Sequence, residues 1–150
     1  MSRGNYLILS IIFVVGMGLL IGYLNVPGEW YAGLNKPWFN PPNWLFAPVW
    51  TILYVLIAVV GWRIWFITER SDLKALWVVQ MALNFLWSPA FFGAQRPALG
   101  LVVILPLLAV IILFIARVRK VDPPSASMFL PYAAWVAFAS LLNGAIVFLN

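Results

Sequence analysis

Five apolar runs, at about 6–24, 46–66, 75–93, 98–116 and 127–149, take up most of this chain, and Arg63 is the only charged residue inside them. A helix crosses a hydrocarbon core of about 30 Å with roughly 20 such residues. Inside lipid, every backbone amide has to be satisfied within the protein, which leaves helices or a closed barrel. Runs this long select helices. The expected fold is an all-α membrane protein, one five-helix transmembrane domain over 1–150. Only 9% of the residues are charged, too few to coat a water-soluble surface, and 65% are hydrophobic.

What is missing narrows the chemistry. With no Cys and no His, disulfides, thiolate nucleophiles, Ser-His-Asp triads and the usual zinc sites are excluded. A haem would find only Tyr or Met as axial ligands, so a tetrapyrrole would have to be held by its faces. No resident cofactor and no metal is expected.

The first run follows Ser2-Arg3-Gly4-Asn5, a basic start like that of a signal peptide. Pro27-Gly28-Glu29-Trp30 is a poor cleavage context, which favours a retained helix. Gly18 and Gly22 form a GxxxG pair, a spacing that admits close approach of another helix. Internal packing is favoured over a dimer seam. The connection from Asn25 to Leu45 carries Pro27, Pro37, Pro41 and Pro42 among Trp30, Tyr31, Trp38, Phe39 and Trp44. Prolines forbid a continuous helix there. So aromatic a loop is expected to fold back over the bundle as a lid, the alternative being an interfacial aromatic belt.

In the second run Trp50 and Tyr54 share a helix face, and Arg63 is expected to snorkel to the headgroups. Gln80, Asn84 and Ser88 step by four along the third run, flanked by Trp87 and Phe91. Such a polar stripe has to point inward, to bond neighbouring helices or a ligand. The fourth run is nearly all aliphatic and is expected to be the most lipid-exposed. In the fifth, Trp135, Ala139 and Asn143 put an indole, a gap and an amide on one face. That face suits a planar ligand or close packing, since Ala133 with Ala137 and Ser140 with Gly144 are also small-residue pairs.

Five spans put Arg3, Arg63, Arg70, Lys74, Arg117, Arg119 and Lys120 at one end and only Lys36 and Arg96 at the other. The positive-inside rule then makes the amino terminus cytoplasmic, with the first loop and carboxyl terminus outside. The net charge of +5 is this topology signal, and no nucleic-acid partner is expected.

Short strings in this order resemble one family, the translocator and tryptophan-rich sensory proteins, also called peripheral benzodiazepine receptor homologues. They are Trp30-Tyr31 with Leu34-Asn35-Lys36-Pro37-Trp38, Asn40-Pro41-Pro42, and Pro48-Val49-Trp50-Thr51-Ile52-Leu53-Tyr54. Further along come Asn84-Phe85-Leu86-Trp87-Ser88-Pro89 with Phe91-Phe92-Gly93, then Pro131-Tyr132, Trp135 and Leu142-Asn143. The resemblance covers nearly the whole chain and points to a bacterial member in the inner membrane. It implies a homodimer whose protomer cavity, closed by the first loop, accepts porphyrins such as protoporphyrin IX or haem. By matching position the ligand-binding residues would be Tyr31, Trp38, Pro41, Trp50, Tyr54, Asn84, Trp87, Phe91, Trp135 and Ala139. Some bacterial members are similar in degrading porphyrin in light, which would make Trp50 and Trp135 catalytic. The cholesterol motif that animal members carry near the end of the fifth helix is absent, because no basic residue follows Tyr132. Transport of tetrapyrroles or other lipophiles is a weaker alternative, because the spans lack acidic residues and Lys for ion coupling and show no inverted repeat.

Overall fold

The computed structural model describes residues 1–150 and is all helical. Helix α1 spans Arg3–Leu24, and a single-turn helix α2, Glu29–Ala32, lies in the first loop. A 3-10 turn, Asn43–Leu45, leads into α3, Phe46–Ile67. Helices α4 (Ser71–Ser88), α5 (Pro97–Val118) and α6 (Pro123–Leu149) complete the chain. Five segments are long and apolar enough to cross a membrane: Arg3–Leu24, Asn43–Ile67, Ser71–Gly93, Pro97–Val118 and Pro123–Leu149.

Helices α1, α5 and α6 begin where the local chemistry predicts. The Ser2 hydroxyl caps α1 by accepting from the Asn5 amide. Pro97 and Pro123 open α5 and α6, where a missing amide hydrogen costs nothing. Past Ser88 the α4 helix widens into a π turn over Pro89–Gly93, closed by the Ala94 amide donating to the Pro89 carbonyl at 2.7 Å. Gln95 then takes a left-handed φ of 56° and turns the chain into α5.

The fourth span is not the most exposed. Gly100, Val103, Ile104, Leu107, Ile111, Phe114 and Val118 are buried along α5, which packs between α4 and α6. The exposed stave is α1, where only Val14 and Gly18 are buried. Aliphatic composition suits lipid and a bundle interior equally, so it could not separate the two. Of the GxxxG pair, Gly18 packs inward, while Gly22 is exposed and a Cβ there would meet nothing. A Cβ on Gly18 would lie 2.3 Å from the Tyr54 ring, and Gly144 of α6 packs on Leu101.

Arg63 does not snorkel. Its guanidinium makes a two-pronged ion pair with Asp122, Nε and Nη2 each 2.8 Å from a carboxylate oxygen, and the Ser125 hydroxyl donates to the same carboxylate. A carboxylate in the α5–α6 turn gave Arg63 a better partner than the headgroups. The Arg63 guanidinium, helped by Ser125, holds the Asp122 carboxyl below the usual carboxylate range against the opposing effect of burial. A depressed folded value means that the pair stabilises the fold above about pH 4 and is lost as the pH falls through that value. The Arg63 side chain keeps 27% of its exposure, so Asp122→Asn is expected to cost about 1–2 kcal/mol at neutral pH, less than a fully buried pair. Thermal melts from pH 7 to pH 3 should show this variant losing less stability on acidification than the wild type.

The opposite end is fastened by the first loop. The Asn150 side chain accepts from the Asn35 amide at 3.1 Å and donates to the Asn35 carbonyl at 2.9 Å. Within the loop, Tyr31 is buried edge-on against Phe91 and Phe92, at 6.3 and 5.4 Å between ring centres.

Candidate functional site

Between this loop and the helices lies a cavity of about 370 Å³ with 23 lining residues, none of them charged. Eight aromatic rings wall it: Tyr23, Tyr31, Phe46, Trp50, Tyr54, Trp87, Phe91 and Phe92. Trp50 and Tyr54 are one turn apart on α3, with ring centres 5.5 Å apart at 30°. The π turn after Ser88 adds an extra residue before the chain leaves α4 and delivers two successive rings, Phe91 and Phe92, to the cavity. Trp87 stacks on Phe91 at 5.2 Å.

Buried amides hold the far wall. Asn84 donates to the Tyr132 hydroxyl at 2.7 Å, and that hydroxyl donates to Gln80 Oε1 at 2.7 Å. This chain ties α4 to α6 and fixes the Asn84 side chain where it meets the cavity. The Gln80 Nε2 donor is buried without a partner. About three turns further along α6, Asn143 Oδ1 accepts from the Trp87 indole at 3.0 Å while its Nδ2 donates to the Pro97 carbonyl at 2.7 Å. A single amide thereby joins α4, α6 and the start of α5. In the loop, the Tyr31 hydroxyl donates to Asn40 Oδ1 at 3.4 Å. Burial pushes this hydroxyl's pKa up, with the Asn40 bond opposing, so it stays protonated and neutral.

Tyr31, Trp50, Tyr54, Asn84, Trp87, Phe91 and Ala139 line the cavity; Trp38, Pro41 and Trp135 do not. Trp38 is 95% exposed and touches Phe39 edge-on. Pro41 only lends its carbonyl to the Asn40 amide at 3.3 Å. Trp135 stands behind Phe46, 5.8 Å from it, and packs on Phe138 at 5.6 Å. Its Nε1 is buried and unpartnered. Helical spacing had put Trp135 with Ala139, but Phe46 at the start of α3 intervenes, and no repeat within α6 could reveal that. Asn143, outside the expected set, is signalled by its spacing of four from Ala139. Asn40 lies in irregular loop and Asn43 opens the short 3-10 turn, where no periodic signal exists.

Leu19 and Tyr23 line the cavity and are also exposed on the outer face of α1. The cavity therefore reaches the surface that faces lipid. Nowhere do three or more His, Cys, Asp or Glu side chains gather to hold a metal. The arrangement is that of a helical, multi-pass membrane protein with an uncharged aromatic pocket.

The chain matches the TspO/MBR family over residues 10–149 and belongs to it. It is 44% identical to the tryptophan-rich protein TspO of Archaeoglobus fulgidus, over 96% of each chain. It is 36% identical to the tryptophan-rich sensory protein of Cereibacter sphaeroides, over 91% of this chain and 87% of the relative. The human translocator protein is also 36% identical, over 85% of this chain and 80% of the relative.

Proposed function

We propose that this protein is a membrane sensory protein that binds a planar lipophilic macrocycle of the tetrapyrrole class, protoporphyrin IX or haem, in the aromatic cavity. The observation that carries the reading is the cavity wall, eight rings and no charge. Ring pairs contribute about 0.5–1.5 kcal/mol each beyond burial. Several together would reach about 8 kcal/mol, or micromolar affinity, without an ionic partner. The volume of about 370 Å³ falls in the range of small-molecule sites, about 300–1,000 Å³. The first loop acts as the cover, supported by its residues Asn25, Tyr31, Asn40 and Asn43 in the lining and by its bonds to Asn150. The name of the Cereibacter sphaeroides relative supports a sensory role.

The protein works in a cell membrane as a homodimer with a cytoplasmic amino terminus. Lys and Arg placement supports this orientation. Gly18 faces inward, so the dimer seam uses another face.

Titrating detergent-purified protein with protoporphyrin IX in the dark, read by Trp fluorescence, is expected to give saturable quenching in the micromolar range. Linear, unsaturable quenching would remove the tetrapyrrole. Illuminating the saturated sample then tests a catalytic reading, favoured by the place of Trp50 in the wall. A new pigment whose formation needs Trp50 would support turnover, and a stable porphyrin spectrum would leave binding alone. Trp135 lies behind Phe46, so in this reading it acts at one remove.

A further inference from the structure

A second concavity, of about 450 Å³, lies at the other end of the bundle and shares no lining residue with the first. Three helices build it with residues spaced to share a face. Tyr6 and Ser10 come from α1, Gly61, Trp62, Trp65 and Phe66 from the end of α3, and Trp77 from α4. Its floor exists because Gly61 has no side chain: a Cβ there would lie 2.6 Å from the Trp77 ring. The polar groups of the floor are satisfied internally. The Ser10 hydroxyl donates to the Ala58 carbonyl, and the Trp77 and Trp62 indoles donate to the Ile57 and Arg3 carbonyls. What remains toward the groove is mostly apolar.

Two cations stand at its rim. The Arg3 guanidinium sits 5.4 Å from the centre of the Phe66 ring, and the Lys74 ammonium 5.9 Å from that of Trp65. Arg63, Arg70 and Arg117 at this end are bound to Asp122 or Asp72. Arg3 has no acidic partner among the ion pairs, and Lys74 only Glu69 at 3.9 Å, whose side chain is fully exposed. The rim thus carries positive charge that the protein offsets only at Lys74, through one exposed carboxylate, at the depth where α1 and α4 begin and α3 ends.

We infer that this groove is a binding site for one anionic phospholipid from the leaflet at that end, with the phosphate between Arg3 and Lys74 and the upper acyl chain against Trp62, Trp65 and Phe66. Charge complementarity selects an acidic headgroup, and the adjoining apolar floor selects a lipid over a free anion. A shell lipid held only by an aromatic belt would not distinguish headgroups.

Native mass spectrometry of the protein with phosphatidylglycerol or phosphatidylcholine of identical chains tests the site. The wild type is expected to retain one phosphatidylglycerol with a preference of about tenfold over phosphatidylcholine. Arg3→Gln with Lys74→Gln should erase the preference, and Arg119→Gln with Lys120→Gln, at the same end but off the groove, should keep it. Trp65→Ala, which alters no charge, should also lose retention. Equal retention of both lipids by the wild type would overturn the site, as would unchanged retention by Trp65→Ala. If the Arg119 and Lys120 pair of substitutions erased the preference equally, selectivity would belong to the diffuse charge of that end and not to the groove.

Discussion

Ala139→Phe is expected to weaken protoporphyrin IX binding more than about tenfold, a loss of about 1.4 kcal/mol or more. Ala139 is buried on α6 and lines the cavity one turn before Asn143. A phenyl ring there has nowhere to go except into space the macrocycle would occupy. The ring enters the cavity rather than the packed interior, so it escapes most of the cost of overpacking and stability should fall far less than affinity. That divergence separates a blocked pocket from a damaged fold. Fluorescence titration beside a thermal melt reads both quantities, and unchanged affinity would move the ligand out of this cavity.

Gly100→Ala is expected to act in the opposite sense and cost about 3 kcal/mol of stability, at the upper end for an overpacked interior. A Cβ at Gly100 would lie 2.9 Å from Asn143 Oδ1 and 2.9 and 3.1 Å from the Cδ2 and Cβ of Phe91. Phe91 is almost wholly buried, and the contact to its Cβ cannot be relieved by turning the ring. Asn143 cannot retreat without releasing the Trp87 indole or the Pro97 carbonyl. One methyl group therefore strains the junction where α4, α5 and α6 meet. Helix content followed by circular dichroism through a detergent melt would show the lowered midpoint, and a midpoint equal to that of the wild type would mean that α5 can shift without cost.

The fold could be read from the chain because the bilayer is a demanding solvent. Long apolar runs have few structural solutions, and the ends of the five runs fall within a few residues of the helices found. The Gln80, Asn84, Ser88 stripe was equally legible, since amides in such a span have to turn inward. Its partner was less so: Tyr132 becomes the hub between Gln80 and Asn84 only when α6 crosses α4 at that height. Trp135 and Trp38 show where reading by position stops. Both are aromatic and both sit in matched motifs, yet Phe46 screens one and open surface surrounds the other. Which of two rings reaches a cavity depends on rotations of whole helices, and no local pattern records those. Arg63 is a similar case. Its snorkelling was reasonable until the α5–α6 turn set Asp122 beside it.

The exposure of Leu19 and Tyr23 along the cavity mouth on α1 bears on how binding has to be counted. A guest that enters through the side of the bundle is drawn from the hydrocarbon, where a greasy macrocycle is already concentrated by partition. Half-saturation would then follow moles of ligand per mole of lipid, and diluting a vesicle suspension with buffer would leave occupancy nearly unchanged. Adding empty vesicles would drain the site. For this protein the membrane is both the solvent and the reservoir, and an apparent Kd carries meaning only beside the lipid content at which it was taken.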